Sequence, residues 1–300
     1  MNLILILIYI ILIIICIYLI YNILKLLNIL KTKNISSNQN TFINKSDDIG
    51  ILKNYMINII NNSIFFYRMN ALDLIARNVK TYKDYIDLYI NNLSYFSANE
   101  TNILKNLINK IDKLSSVKKT KYYKNIPWKF IKQSNDIENG WPHTLGDVII
   151  LSNNFFELNE KDQILILIHE KIHIYQRLYP IETHKLIHDY LGFDVTNKIE
   201  NILNARNNPD INNFIYKKEN IVLVQLYDSL HPKNINDSSV YNLNKQIKIT
   251  TDDLKLPKII KQYEHPFEIM ACILPEIIVN NYNNNSNFIN QINIWYDKYF

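Results

Sequence analysis

Hydrophobic residues fill almost every position from 3 to 24, and polar ones take over abruptly afterwards. Residues 3–21, LILILIYIILIIICIYLIY, carry no charge and no strong helix breaker. Continued to Leu24, the run is 22 residues, roughly 33 Å as a helix and enough for a bilayer core of about 30 Å. A helix buried in a water-soluble core usually keeps a polar stripe, and this run has none. A cleaved signal peptide would show a basic start, a shorter apolar stretch and a small-residue cleavage site. None of these is present. Residues 1–24 are therefore expected to form a transmembrane anchor contacting lipid through 3–24. Lys25, Lys31 and Lys33 flank its C-terminal end. By the positive-inside tendency they place the rest of a single-pass protein in the cytoplasm.

Residues 25–48, ending in KTKNISSNQNTFINKSDD, are polar and aperiodic and read as a tether. From Ile49 to about Leu114 apolar residues return at spacings of three and four, the period of helices. ALDLIARNVKTYKDYIDLYINNL (71–93) reads as helical, and Ser97 with Glu100 makes a capping box for the helix after it. PWKFIKQ (127–133) and DVIILS (147–152) are short β-rich runs either side of a turn-rich stretch, and predict a small sheet. A long helix follows, with Asn159 as its cap and Pro180 as its stop, then a short one from Thr183 to Gly192. FIYKKENIVLVQLYD (214–228) predicts a hairpin, and Pro266 opens a late helix. The expected class is α+β, mainly helical with a small sheet. The domain spans 49–300, with its core at about 125–280.

Composition changes this picture little. The chain is 48% hydrophobic, with four glycines and many Ile, Asn, Lys and Tyr, so Asn-rich stretches carry little information. Net charge is +5, and the three lysines beside the anchor account for most of it. The remaining +2 excludes a nucleic-acid partner of the usual basic kind. The run KKTKYYKN (118–125) reads as a solvated loop. Cys16 and Cys272 lie in an apolar run and a helix, which predicts no disulfide framework and fits a reducing compartment.

The chemistry sits in LILIHEKIHIYQRLYP (165–180). His169 and His173 stand four apart, so on a helix both imidazoles face one metal ion. Glu170, about 100° further round, is placed to take a proton from water that zinc has acidified. With seven His and eleven Glu in the chain, H-E-x-x-H arises by chance in roughly 0.6% of such sequences, which favours a real site. A catalytic zinc needs a third protein ligand and an open position. In the spacing H-E-x-x-H-x-x-G-x-x-H the Gly and last His would fall on Gln176 and Tyr179, so that ligand set is excluded. The residues leave open His184 and His188, which would close the shell, and Glu264 and Glu268 in YEHPFEIMA (263–271).

An H-E-x-x-H followed far downstream by Pro-x-Glu-x-x-Ala resembles the glutamate zincins, and the resemblance implies Glu268 as third ligand. More narrowly, WPHTLGDVIIL, LIHEKIHIYQRLYP, NPD (208–210) and YEHPFEIMA together resemble the predicted zinc metallopeptidases of large DNA viruses. That resemblance covers about residues 125–280. It implies one catalytic Zn2+, a peptide or protein substrate, and a host or virion membrane. His143 and Asp147 are candidates to line the cleft or orient a ligand, as is Glu264. His231, Tyr263 and His265 are candidates to steady an oxyanion. A zinc-stabilised, non-catalytic membrane or virion scaffold and a hydrolase of other amides or esters are the rival readings.

Overall fold

The computed structural model describes residues 41–42, 49–283 and 286–300. The expected anchor, 1–24, and nearly all of the tether lie outside them. Among the described residues no helix is long and apolar enough to cross a membrane. The tether has one correction. Thr41 and Phe42 form β1, a parallel partner of Lys129 and Phe130, because their backbone groups complete an otherwise open edge.

The class is α+β, but with two five-stranded sheets rather than one small one. In the first, β2 (Leu93–Ser94), β3 (Lys129–Gln133), β4 (His143–Leu145) and β5 (Val148–Leu151) join β1 in the order β1-β3-β5-β4, with β2 also on β3. β3 and β5 run parallel, and β4 is the outer strand, antiparallel to β5. The VIIL run of β5 is buried throughout because both faces of this sheet are covered. Phe130, Ile149 and Leu151 join the larger core, while Ile131, Val148 and Ile150 join the core on the other face. That is the period of two expected of a strand.

The second core is built by helices α1 (Ile49–Asn61) and α3 (Tyr82–Asn91), while Leu72 and Ala76 of α2 (Ala71–Ala76) cluster with Tyr227 and Ile235. In the second core Leu52, Met56, Ile60, Tyr85 and Tyr89 pack against the sheet. The helical stretch 71–93 thus divides into two helices. Asn78 takes a left-handed conformation (φ 55°), and Thr81 with Asp84 forms a second capping box that restarts the chain. Asn70 and Asp73 cap α2 in the same way.

The larger core gathers α4 (Ala98–Lys113), α5 (Ser115–Lys119), α6 (Asn153–Phe156) and α7 (Glu160–Leu178). Ser97 and Asn159 cap α4 and α7 through their side chains. In α7 every residue from Glu170 to Gln176 is buried, as befits a helix packed on several sides. Pro180 does end α7, but it also opens α8 (Pro180–His184), which winds on to Tyr190 before Gly192 turns with φ +70°.

The second sheet, all antiparallel, runs β10-β9-β8-β7-β6. Its strands are β6 (Phe193–Lys198), β7 (Phe214–Lys218), β8 (Ile221–Tyr227), β9 (Ser238–Asn242) and β10 (Ile247–Lys248). β7 and β8 are the expected hairpin, turning at Glu219 with φ 53°. The flanking strands escaped notice because β6 is exposed beyond Phe193 and β9 reads SSVYN, without strong alternation. Helix α9 (Pro266–Asn280) packs along α7, and α10 (Asn287–Tyr299) closes the chain.

Candidate metal centre

Two helices meet to make this site. α7 carries His169 and His173 one turn apart, and α9 carries Glu268 in its first turn. Pro266 at the first helical position has no N–H to leave unsatisfied. His265 caps the helix, its Nδ1 accepting from the Phe267 N–H at 3.1 Å. The unpaired N–H groups of a helix start favour a carboxylate there.

The two imidazole Nε2 atoms lie 3.0 Å apart, and Glu268 Oε2 lies 3.3 Å from one and 3.4 Å from the other. Bonds of 2.0–2.1 Å at tetrahedral angles put ligand atoms about 3.3 Å apart. The triangle is therefore already the right size for a small ion at its centre. His169, His173 and Glu268 form the sole group of three or more metal-ligand side chains found among the described residues. Glu268 Oε2 is buried without a hydrogen-bond donor, as is Oε2 of Glu170. An orphaned carboxylate oxygen in a protein interior is costly unless a cation sits against it. On this donor set, a divalent metal fits. The side chains of His173 and Glu268 are 0% and 2% exposed, but that of His169 is 16% exposed, so solvent reaches the triangle on its side.

The groups behind the ligands set their direction. His173 Nδ1 lies 2.9 Å from Gln176 Oε1, and Gln176 Nε2 donates to the Phe267 carbonyl at 2.9 Å. A proton on Nδ1 leaves Nε2 with its lone pair toward the triangle. Asn208 Nδ2 donates to Glu268 Oε1 at 2.7 Å. Cys272, one turn beyond Glu268 on α9, interacts with His169.

Burial and the neighbouring Asp210 carboxylate push Glu170 up to about 8, against the pull of both imidazoles. Burial and Glu268 push Glu264 up to about 7, against Arg206. Burial alone would raise Glu268 as well, yet the two imidazoles hold it well below the usual carboxylate range. This interior holds more carboxylate than it can keep ionised without added positive charge.

The other residues singled out from sequence divide. Glu264 is buried beside Glu268, at 4.0 Å from Arg206. His265 acts as a helix cap, with Nε2 3.2 Å from Asn212 Oδ1 and from the Phe214 carbonyl. His143 is turned away: its Nε2 meets Tyr89 OH at 2.7 Å and its Nδ1 the Trp141 carbonyl at 2.9 Å, so it serves local groups. Asp147 does not orient a ligand, because Lys129 holds it at the turn before β5. The carboxylate that faces the site is Asp210, which accepts from the N–H and hydroxyl of Thr144 at 2.6 and 2.5 Å. Tyr263 spends its hydroxyl on the Ile249 carbonyl at 2.9 Å. His231 is exposed on the loop between β8 and β9, outside the ligand group. His184 and His188 stack on each other at an exposed stretch, where His188 meets Asp189 and Asp194, so they do not close the shell.

Sequence reading missed Gln176, Cys272 and the roles of Asn208 and Asp210. Helical spacing holds the signal for the first two, at i+3 from His173 and i+4 from Glu268. For the others, NPD marks the place but not the partners.

β4 borders α7 as an edge strand, yet its outer edge is occupied. Asp210 takes the Thr144 N–H, and Arg177 donates to the Gly146 and Asp210 carbonyls at 2.9 and 3.3 Å and to Thr144 Oγ1. No protein family, curated protein or solved structure matches this chain.

Proposed function

We propose that the protein is a zinc-dependent peptidase, tethered to a membrane by residues 3–24, with its catalytic domain on the cytoplasmic side. The observation that carries this reading is the triangle of His169 Nε2, His173 Nε2 and the orphaned Glu268 Oε2, with a second unpartnered carboxylate, Glu170, beside it. Imidazole and carboxylate donors in a three-ligand site suit zinc, which supplies Lewis acidity and makes water a nucleophile near neutral pH.

The chain's own residues do the rest. Glu170 is the base: it takes a proton from the attacking water and hands it to the leaving amine. Its high proton affinity in the metal-free chain suits it to hold that proton until transfer, and a nearby dication favours the ionised form it starts from. His173 is kept in one tautomer by Gln176, and Glu268 is held by Asn208. Burial of His173 and Glu268 keeps water off all but the His169 side.

The test is Glu170→Gln. Zinc content of the purified protein should stay at one ion per chain, while cleavage of a peptide library falls about 10²–10⁴-fold. Undiminished cleavage in this variant would remove the mechanism. The occupied outer edge of β4 favours a second reading, a compact amide or ester substrate, since extended peptides commonly bind by adding a strand to a free edge. Turnover of small esters with no peptide cleavage would select that reading.

A further inference from the structure

We propose that Asn208 is a positioning residue, carried on a strap from Asn207 to Ile211, that makes Glu268 present a single oxygen to the metal. The inference rests on the metal reading above. A carboxylate has two equivalent oxygens, and nothing in its chemistry decides whether one or both face an ion. Here one is committed elsewhere: Oε1 accepts from Asn208 Nδ2 at 2.7 Å, while Oε2 faces the imidazoles.

Asn208 cannot turn its amide over. Its Oδ1 accepts the Asp210 N–H at 2.9 Å. A flip would set that oxygen against Glu268 Oε1 and its NH2 against the Asp210 N–H, pairing like with like at both ends. The strap itself is anchored on both sides of Asn208. Asn207 donates its N–H to Asp73 Oδ1 at 3.0 Å and its amide to Asp73 Oδ2 at 2.5 Å. The Asn207 carbonyl accepts from Arg77 at 3.2 Å, and Arg68 donates to the Asn208 and Ile211 carbonyls at 2.9 and 3.3 Å. At the far end Asp210 is fixed to Thr144. Pro209 stiffens the span between them. Asn207, Asn208 and Asp210 are all at most 8% exposed, so water does not compete for these bonds.

The strap thus connects a buried ion cluster on α2 to the third ligand on α9. Asp73 and Arg77 take no part in the proposed chemistry. Their contribution is to hold Asn207, which in turn fixes where Asn208 stands.

Two variants of the full-length chain test it. Asn208→Asp keeps the shape and the acceptor for the Asp210 N–H but replaces the donor facing Glu268 with a carboxylate oxygen. Asn208→Ala removes both. Zinc affinity, measured against a competing chelator, should fall about 10–100-fold in each. At cobalt saturation the visible absorption per ion should drop in both variants as a second carboxylate oxygen swings in, a signature that a purely structural role would not move. If the wild type binds zinc, and Asn208→Asp binds it within twofold with an unchanged cobalt spectrum, the positioning role is wrong and the metal reading stands. If the wild type itself holds no zinc, both fall together.

Discussion

Around Arg77, buried charge is complete; around Glu268 it is not. The Arg77 guanidinium donates to Glu138 at 2.7 and 3.0 Å, to Asp73 Oδ1 at 3.2 Å and to two carbonyls. Tyr85 and Tyr227 supply further donors, so every carboxylate oxygen of Asp73 and Glu138 is met. Burial alone would raise the Glu138 carboxyl, but Arg77 prevails and holds it below its ordinary value. The cluster on α7 and α9 is buried on all but its His169 side, yet Glu268 Oε2 and Glu170 Oε2 have no donor. Both clusters lie in the interior and both contain paired carboxylates. The difference is that the first contains a permanent cation, Arg77, and the second has two titratable imidazoles in a ligand triangle where a metal cation fits. Self-sufficiency marks a structural ion cluster, and an orderly deficit marks a binding site.

The largest effect should come from breaking the complete cluster. Arg77→Met leaves two carboxylates buried without a counter-charge, and is expected to cost about 3–5 kcal/mol. In urea unfolding this is a clear fall in midpoint that added zinc does not restore. A loss below about 1 kcal/mol would mean the cluster contributes little and the contrast is false.

Completing the incomplete cluster should work in the other direction. Zinc at a hundredfold excess over its Kd should stabilise the fold by about 2.7 kcal/mol, seen as a rise in Tm that a chelator reverses and His173→Ala abolishes. The pH dependence has a definite sign. In the metal-free chain burial opposes protonation of His169, but its contacts with Cys272 and Glu268 prevail and hold it well above the usual imidazole value. Glu268 and Asp210 raise His173 against burial in the same way. These protons stabilise the metal-free fold below the ordinary imidazole value of 6.5, and that contribution is lost as pH rises through the raised values. Zinc must displace the same protons. Its stabilisation should therefore be greater at pH 8 than at pH 6, and a gain that shrinks with rising pH would count against these ligands.

The smallest effect concerns a buried charge of a third kind. Lys171 lies on α7 with its Nζ 4.1 Å from the Trp128 ring centre and 4.6 Å from that of Tyr123, and no hydrogen-bond acceptor reaches it. Burial lowers its ammonium to about 7. Between that value and the ordinary 10.5 the unfolded chain binds the proton and the folded chain does not, so stability should rise with pH across this window. Lys171→Met should be more stable than the wild type at pH 7, with the advantage fading toward pH 10. An advantage independent of pH would show that packing, not charge, is responsible.

Much of this was legible along the chain because it is local. The capping box at Ser97, the side-chain cap at Asn159, the buried strand VIIL and the hairpin around Glu219 depend on residues a few positions apart. So do His169 and His173, whose shared face follows from helical geometry alone. The break inside 71–93 is local too, since Thr81 with Asp84 restarts the chain as a second helix. The weakly alternating strands β6 and β9 were illegible, since their partners across the sheet, not their own sequence, hold them extended.

The sequence by itself determined the anchor-like run, most of the helices and the two candidate histidine ligands, because periodicity and caps act within a few residues. It pointed to Glu268 only through a resemblance. Only the tertiary structure decided which distant groups complete the site. It put Glu268 at 3.3 and 3.4 Å from the two imidazoles, turned His143 toward Tyr89 and tied Asp147 to Lys129. It also brought Asn208 and Asp210 in from a segment with no helical or strand period to betray them. Contacts across tens of residues depend on how layers pack around a shared core, and no local pattern along the chain encodes that.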